Sequence, residues 1–264
     1  MKITIYSVCW NEEVLLPHFF QHYKSRFPNA DFVIYDNGST DRSRDIIREN
    51  GGVVKNLESN NRAREDLLMG VRNNCWKLSK NDWVIVCDVD EFIDCDESFL
   101  SNATASVIRC EGYEMAGDTL NIDTITKGTR NYWLDKCSVF NPNKISEINY
   151  SPGCHSCAPV GEVIYNKKRV PLKHYKYFKL SYVIERFEVL SKRLSDENKS
   201  NGWGIHYLQN KEEIKDAYLF ILNNAEAVPA PFIRYLYYKL INNQKYYRIL
   251  KKLLNIKKSI VTRY

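Results

Sequence analysis

The stretch Asp82–Phe92, DWVIVCDVDEF, decides how this chain is read. Trp83–Cys87 is an unbroken apolar, β-branched run, the pattern of a strand buried on both faces. Two carboxylates follow at once, Asp88 and Asp90, with only Val89 between them. Alternate residues of an extended chain point the same way, so both carboxylates are expected to face one side. Paired hard oxygen donors at a strand end suit Mg2+ or Mn2+, and through the metal the phosphates of a nucleoside diphosphate. The plainer alternative is a solvated acidic turn.

Working outward, the preceding eighty residues alternate strand and helix. Lys2–Cys9 and Asp31–Tyr35 read as buried strands, and Val53–Leu57 as a short third strand. A helical pattern opens at Asn11-Glu12-Glu13 and closes at Pro28. A second covers Arg42–Glu49 and ends at Gly51-Gly52, and a third covers Arg62–Leu78. This order predicts an α/β protein with a mostly parallel central sheet flanked by helices. Ligands of such sheets bind beyond the carboxyl ends of the strands. The ends of strands one, two and four should therefore line one crevice.

Tyr35-Asp36-Asn37-Gly38-Ser39-Thr40-Asp41 ends the second strand. Its Asn-Gly and Ser/Thr-x-Asp pairs are turn and cap chemistry. Asp36, at the strand end, is placed to accept a hydrogen bond from a nucleobase.

Taken together, SVCWNE, YDNGSTD and DWVIVCDVDEF resemble the GT-A glycosyltransferases, within them the family 2-like group. The resemblance covers residues 1 to about 95, with the three motifs in order. It implies a Rossmann-like GT-A fold and transfer of a sugar from a nucleoside diphosphate sugar, a UDP-sugar foremost, to a hydroxyl of a glycan or glycoconjugate. By resemblance, Val8, Cys9, Asn11 and Asp36 would hold the nucleoside. Asp88 and Val89 would approach the ribose and metal, and Asp90 would ligate Mn2+ or Mg2+ directly. Arg64 and Asp66 lie where the family's third helix faces the nucleotide, although the usual Ala-Arg-Asn pattern is absent there. In the second half, Lys136–Pro142 and Gly153-Cys154-His155 resemble the strand and Gly-turn of the acceptor side. Val170–Tyr175 resembles the strand that carries the family's C-terminal metal histidine, here His174.

An inverting enzyme needs a general base beside the acceptor hydroxyl, and His155, Glu162 and Asp118 are the candidates. The family's usual Glu-Asp pair is missing, which leaves base and stereochemistry open. Cys154-His-Ser-Cys157 also invites a zinc reading, but no second such pair exists to complete four ligands. The other classes open to this sequence are a phosphohydrolase of the haloacid-dehalogenase type and a non-catalytic nucleotide- or glycan-binding module. Against the first, Phe92 stands where Thr or Val normally follows, and the motif is on the fourth strand rather than the first.

The expected organisation is a GT-A domain over 1–178, with a nucleotide half at 1–95 and an acceptor half at 96–178. A helical extension would follow over 179–264. The 264 residues carry a net charge of +6. Nine Lys or Arg and no acid fall between Ala227 and Tyr264, and removing them leaves −3 for the remainder. From about residue 232 the basic and aromatic side chains interleave, which fits either a peripheral membrane contact or a bundle helix with a solvated basic face. That charge is local and matches no nucleic-acid module. The eight cysteines are expected to be reduced, since nothing marks the chain for export. The expected location is the cytoplasm.

Overall fold

The computed structural model describes residues 1–228. The chain divides into two units, Met1–Ala225 and Glu226–Tyr264, and the six-stranded central sheet and the cavity belong to the first. The helical pattern expected at Phe232–Leu254 and the basic tail lie outside the described residues.

In chain order the strands are β1 (Ile3–Cys9), β2 (Asp31–Asp36), β3 (Val53–Asn56), β4 (Trp83–Val86), β5 (Glu91–Ile93), β6 (Val107–Ile108), β7 (Cys110–Ala116), β8 (Lys127–Arg130), β9 (Val139–Phe140), β10 (Ile145–Glu147), β11 (Val160–Gly161) and β12 (Val170–Tyr177). The helices are α1 (Leu16–Arg26), α2 (Ser43–Glu49), α3 (Glu65–Asn74), α4 (Glu97–Ser101), α5 (Leu180–Arg193), α6 (Asp196–Ser200) and α7 (Lys211–Asn223). The central sheet runs β3-β2-β1-β4-β9-β6, and its first four strands are parallel. In the second sheet β8, β7, β12 and β5 are successive neighbours.

Helix α1 begins at Leu16, later than the Asn11 start expected from the sequence. Asn11 has a left-handed backbone (φ 49°), and the Glu12 carbonyl accepts from Leu15 and Leu16 N–H, so a turn precedes the helix. Pro17 then sits in the first turn, where its missing N–H costs nothing. Leu16, Phe19, Phe20 and Tyr23 are all fully buried on the sheet, with the Phe20 and Phe32 rings 4.9 Å apart. Burial of each such side chain contributes about 1.5–3 kcal/mol. Similarly, α3 begins at Glu65 rather than Arg62, because Ser59 and Arg62 close a turn and Ala63 bridges to Leu194.

The decisive departure lies at Asp88–Glu91. Glu91 N–H donates to the Asp88 carbonyl (3.0 Å), and Asp88 N–H donates to the Glu91 carboxylate (3.2 Å). Val89 and Asp90 are the middle of a turn, not extended strand. That turn carries the chain out of the central sheet at β4 and into the second sheet at β5. There β5 pairs antiparallel with β12, which pairs on its other side with β7. Helices α5 and α7 pack on β12 through Tyr177, Val183, Phe187, Ile214 and Tyr218.

Candidate active site

A cavity of about 470 Å3 opens where β1 and β4 end, roofed by β12, α5 and the loop after α6. Val8, Cys9, Asp88, Val89, Asp90, His155 and His174 all line it.

Register explains why His174 meets Asp90. His174 is paired with Glu91 on β5 and with Glu114 on β7. Tyr175 N–H also donates to the Asp90 carbonyl (2.8 Å), which fixes the turn against β12. His174 Nε2 stands 3.1 Å from Asp90 Oδ2, and Nδ1 stands 2.7 Å from Glu114 Oε2. Burial alone would lower the His174 pKa; Glu114 and Asp90 outweigh it and raise it well above the usual histidine range. Glu114 is a charge inside the apolar strand CEGYEMA, which was the sequence signal for it.

Asp88 turns the other way. Arg72 of α3 binds it at 2.7 Å and Glu65 at 2.8 Å, while Lys136 ion-pairs with Glu91 and lies 3.8 Å from Asp88. Burial would raise the Asp88 carboxyl, but Arg72 and Lys136 overcome it and hold the group well below the usual range. Arg72 and Lys136 are both buried. The sequence hint for them is a basic residue inside an apolar face: Arg72 four after Leu68, and Lys136 ahead of Cys-Ser-Val-Phe. Among the described residues no group of three or more His, Cys, Asp or Glu is arranged to hold a metal ion. The expected trio is therefore divided: Asp90 and His174 are together, and Asp88 is engaged by two cations. All eight cysteines are free.

Asp36, expected to read the base, is not among the residues that line the cavity. Asp36 is 1% exposed, accepts from Ser39 N–H and pairs with Arg44 at 2.8 Å, so its oxygens serve the loop before α2. Asn11 likewise is tied to Thr40 and lies outside the cavity lining, holding that loop against β1. Arg64 and Asp66 satisfy each other (2.6 Å) and do not line the cavity. Asn37, next to Asp36, does line it, as do Trp10 and Glu12 after β1. Helix α5 braces this wall. Arg186 donates to the Trp10 and Asn11 carbonyls (2.8 and 2.9 Å) and to Glu12, and the Arg193 guanidinium lies 3.6 Å from the Trp10 ring centre. Burial pushes Glu12 up to about 8, against the pull of Arg186.

Of the three base candidates, the cavity receives one. Glu162 is exposed and pairs with Lys144 (2.8 Å), and Asp118 is exposed on the loop after β7; neither lines the cavity. His155 does, stacked on the exposed Trp133 ring at 4.6 Å. Its Nδ1 lies 2.8 Å from the Trp133 carbonyl. A carbonyl only accepts, so Nδ1 carries the proton and Nε2 is left as the acceptor. Burial and then Lys136 lower the ring to about 4, which keeps it neutral near pH 7.

Residues 4–108 match the family model described as glycosyl transferase family 2. The resemblance to family 2 glycosyltransferases holds. The GT-A, mixed α/β reading of the fold holds with it. Among solved structures, S. aureus TarS 1–349 in complex with UDP-GlcNAc is similar at 14% identity, with 83% of this chain and 72% of that one covered and a TM-score of 0.42. The mannosyltransferase PcManGT from Pyrobaculum calidifontis, in complex with GDP-Man and Mn2+, is similar at 10% identity over 97% and 88% of the two chains, with a TM-score of 0.40. In the longer S. aureus TarS structure the chain spans 43% of that protein. No match was found among curated protein sequences.

Proposed function

We propose that this chain transfers a sugar from a nucleoside diphosphate sugar, foremost a UDP-sugar, to a hydroxyl of a glycan or glycoconjugate, with a divalent cation. The observation that carries the reading is the meeting of Asp90 and His174 at 3.1 Å in a cavity that also receives Asp88 and His155.

The donor set fits such a cation. Mg2+ and its analogues are commonly held by one or two protein groups, with substrate phosphates and water completing the shell. Asp90 and His174 would supply a carboxylate oxygen and an imidazole nitrogen, a set Mn2+ accepts. A bound cation would supply Lewis-acid stabilisation of the charge that gathers on the departing diphosphate.

The chain's own groups do the rest. Glu114 on Nδ1 fixes the ring of His174 so that Nε2 points at Asp90, since a carboxylate on one ring nitrogen orients the other. Arg72 and Lys136 neutralise Asp88 and Glu91, so a polyanion can approach without facing a row of bare carboxylates. His155 Nε2 offers a lone pair to the acceptor hydroxyl, and Trp133 beside it offers a flat apolar face to a sugar ring.

The test is turnover. Wild-type protein with a panel of UDP- and GDP-sugars, mixed glycan acceptors and Mn2+ should release nucleoside diphosphate, with a UDP-sugar fastest. Asp90→Ala should not release it. Absence of release from every donor, with or without acceptor, would count against the reading.

A further inference from the structure

Six cationic side chains line the cavity: Arg72, Lys136, His174, Lys176, Arg186 and Arg193. Arg72 is answered by Asp88 and Glu65, Lys136 by Glu91, His174 by Asp90 and Glu114, and Arg186 by Glu12. Arg193 spends its N–H groups on the Asn61 and Asn37 carbonyls at 3.2 Å and lies on Trp10. Lys176 is different. Among the described residues its ammonium has no hydrogen bond and no ion pair. It is instead bounded by aromatic rings, 4.7 Å from the centre of Phe187, 5.2 Å from Tyr207 and 5.6 Å from Tyr177.

Ring faces attract an ammonium but offer no lone pairs, so the three N–H donors of Lys176 are held in place and left unanswered. Arg193 binds carbonyls and the other four cations carboxylates, which leaves Lys176 as the one of these six cavity cations with neither kind of partner among the described residues. Lys176 is two residues beyond His174 on β12, where the pairing with β7 shifts register, and it lines the same cavity. An oxyanion drawn to the Asp90–His174 edge therefore falls within reach of a lysine side chain.

Resting on the nucleotide-sugar reading above, we infer that Lys176 is the positioning residue for the donor's diphosphate. Its ammonium donates to the phosphate oxygens, and Phe187, Tyr207 and Tyr177 hold it there. The role is electrostatic and concerns the diphosphate, not the sugar or the base. As the acceptor oxygen gives up its proton and bonds to the anomeric carbon, the bond from that carbon to the β-phosphate oxygen breaks, its electron pair goes to the phosphate oxygen, and Lys176 faces the charge that results.

Calorimetric titration of the full chain in Mn2+ with UDP and with uridine tests this, using wild type, Lys176→Met, Lys176→Gln and Lys176→Arg. Loss of a hydrogen bond to a charged group lowers affinity by about 10- to 100-fold. Lys176→Met is expected to weaken UDP by about that factor and to leave uridine unchanged. Lys176→Gln should behave alike, which guards against a methionine that collapses into the rings, and Lys176→Arg should keep most of the UDP affinity. Unchanged UDP binding in both neutral variants overturns the role, and so does an equal loss of uridine, which would mark Lys176 as structural. Failure of wild type to bind either UDP or uridine is a separate result that overturns the nucleotide reading itself.

Discussion

Asp90 and His174 meet at 3.1 Å across the seam where the chain leaves one sheet for the other. Neither residue is near the other in sequence; the turn at Val89–Asp90 and the pairing of β5 with β12 bring them together. The contact makes His174 dependent on its other neighbour, because Glu114 at 2.7 Å decides which way the ring faces.

Glu114→Gln should therefore weaken Mn2+ binding without removing a ligand. Loss of an outer-shell partner typically costs 10- to 100-fold in metal affinity. Titration of Mn2+ by electron paramagnetic resonance, in the presence of UDP, should show that loss. Affinity equal to wild type would mean that the ring needs no orienting carboxylate.

The Lys136–Glu91 pair predicts a stability effect. Both side chains are almost wholly buried, at 3% and 2% exposure. Lys136→Met leaves Glu91 charged and uncompensated and should cost about 3–5 kcal/mol in urea denaturation. The double variant Lys136→Met, Glu91→Leu should recover much of it, since an apolar pair of similar volume removes the stranded charge. A double variant as unstable as the single one would contradict this account of the pair.

Much of this was legible in the sequence, for physical reasons. Buried parallel strands are nearly continuous apolar runs, so β1, β2 and β4 announce themselves, and the rule that ligands bind at strand ends then locates the cavity. The common placement of Asp88 and Asp90 was foreseen on the wrong geometry: they share a cavity by way of a turn, and they face different partners. Asp36 ends its strand as expected, and its carboxylate is paired with Arg44, eight residues on, at 2.8 Å. Sequence patterns carry no signal for such pairings. Glu114, Arg72 and Lys136 reach the site through register and helix packing over long separations, and periodicity treats each as an interruption of an apolar run.

Acid sensitivity should be traceable to His22, which lies outside the cavity. Its ring donates to the Ile93 carbonyl at 3.1 Å and lies 4.9 Å from Phe92. Burial, then Arg26, lowers its pKa to about 4. The unfolded value is about 6.5, so between those limits the unfolded chain binds the proton and the native chain does not. Stability is thus lost as pH falls from about 6.5 towards 4, and this contribution changes no further below that. His22→Gln should show a shallower fall over that window. Comparing the two proteins cancels groups common to both, Glu12 among them. Identical slopes would contradict the assignment.

Gly153 supports His155. Its backbone is left-handed, φ +66°, and an added Cβ would collide with the His155 ring. Gly153→Ala should lower stability by about 1 kcal/mol or more through backbone strain. It should also shift the His155 resonances in a histidine-labelled NMR spectrum, because the ring must move. An unmoved ring would show that the loop adapts elsewhere.

The central claim is that Asp90 and His174 form the cation-dependent end of a nucleotide site. Calorimetric titration of the wild-type chain with UDP and GDP, in Mn2+ and then in EDTA, tests it most directly. The account predicts that UDP binds more tightly than GDP and that at least tenfold of its affinity is lost in EDTA. Binding of neither nucleotide, or UDP binding of equal strength with and without Mn2+, would contradict it.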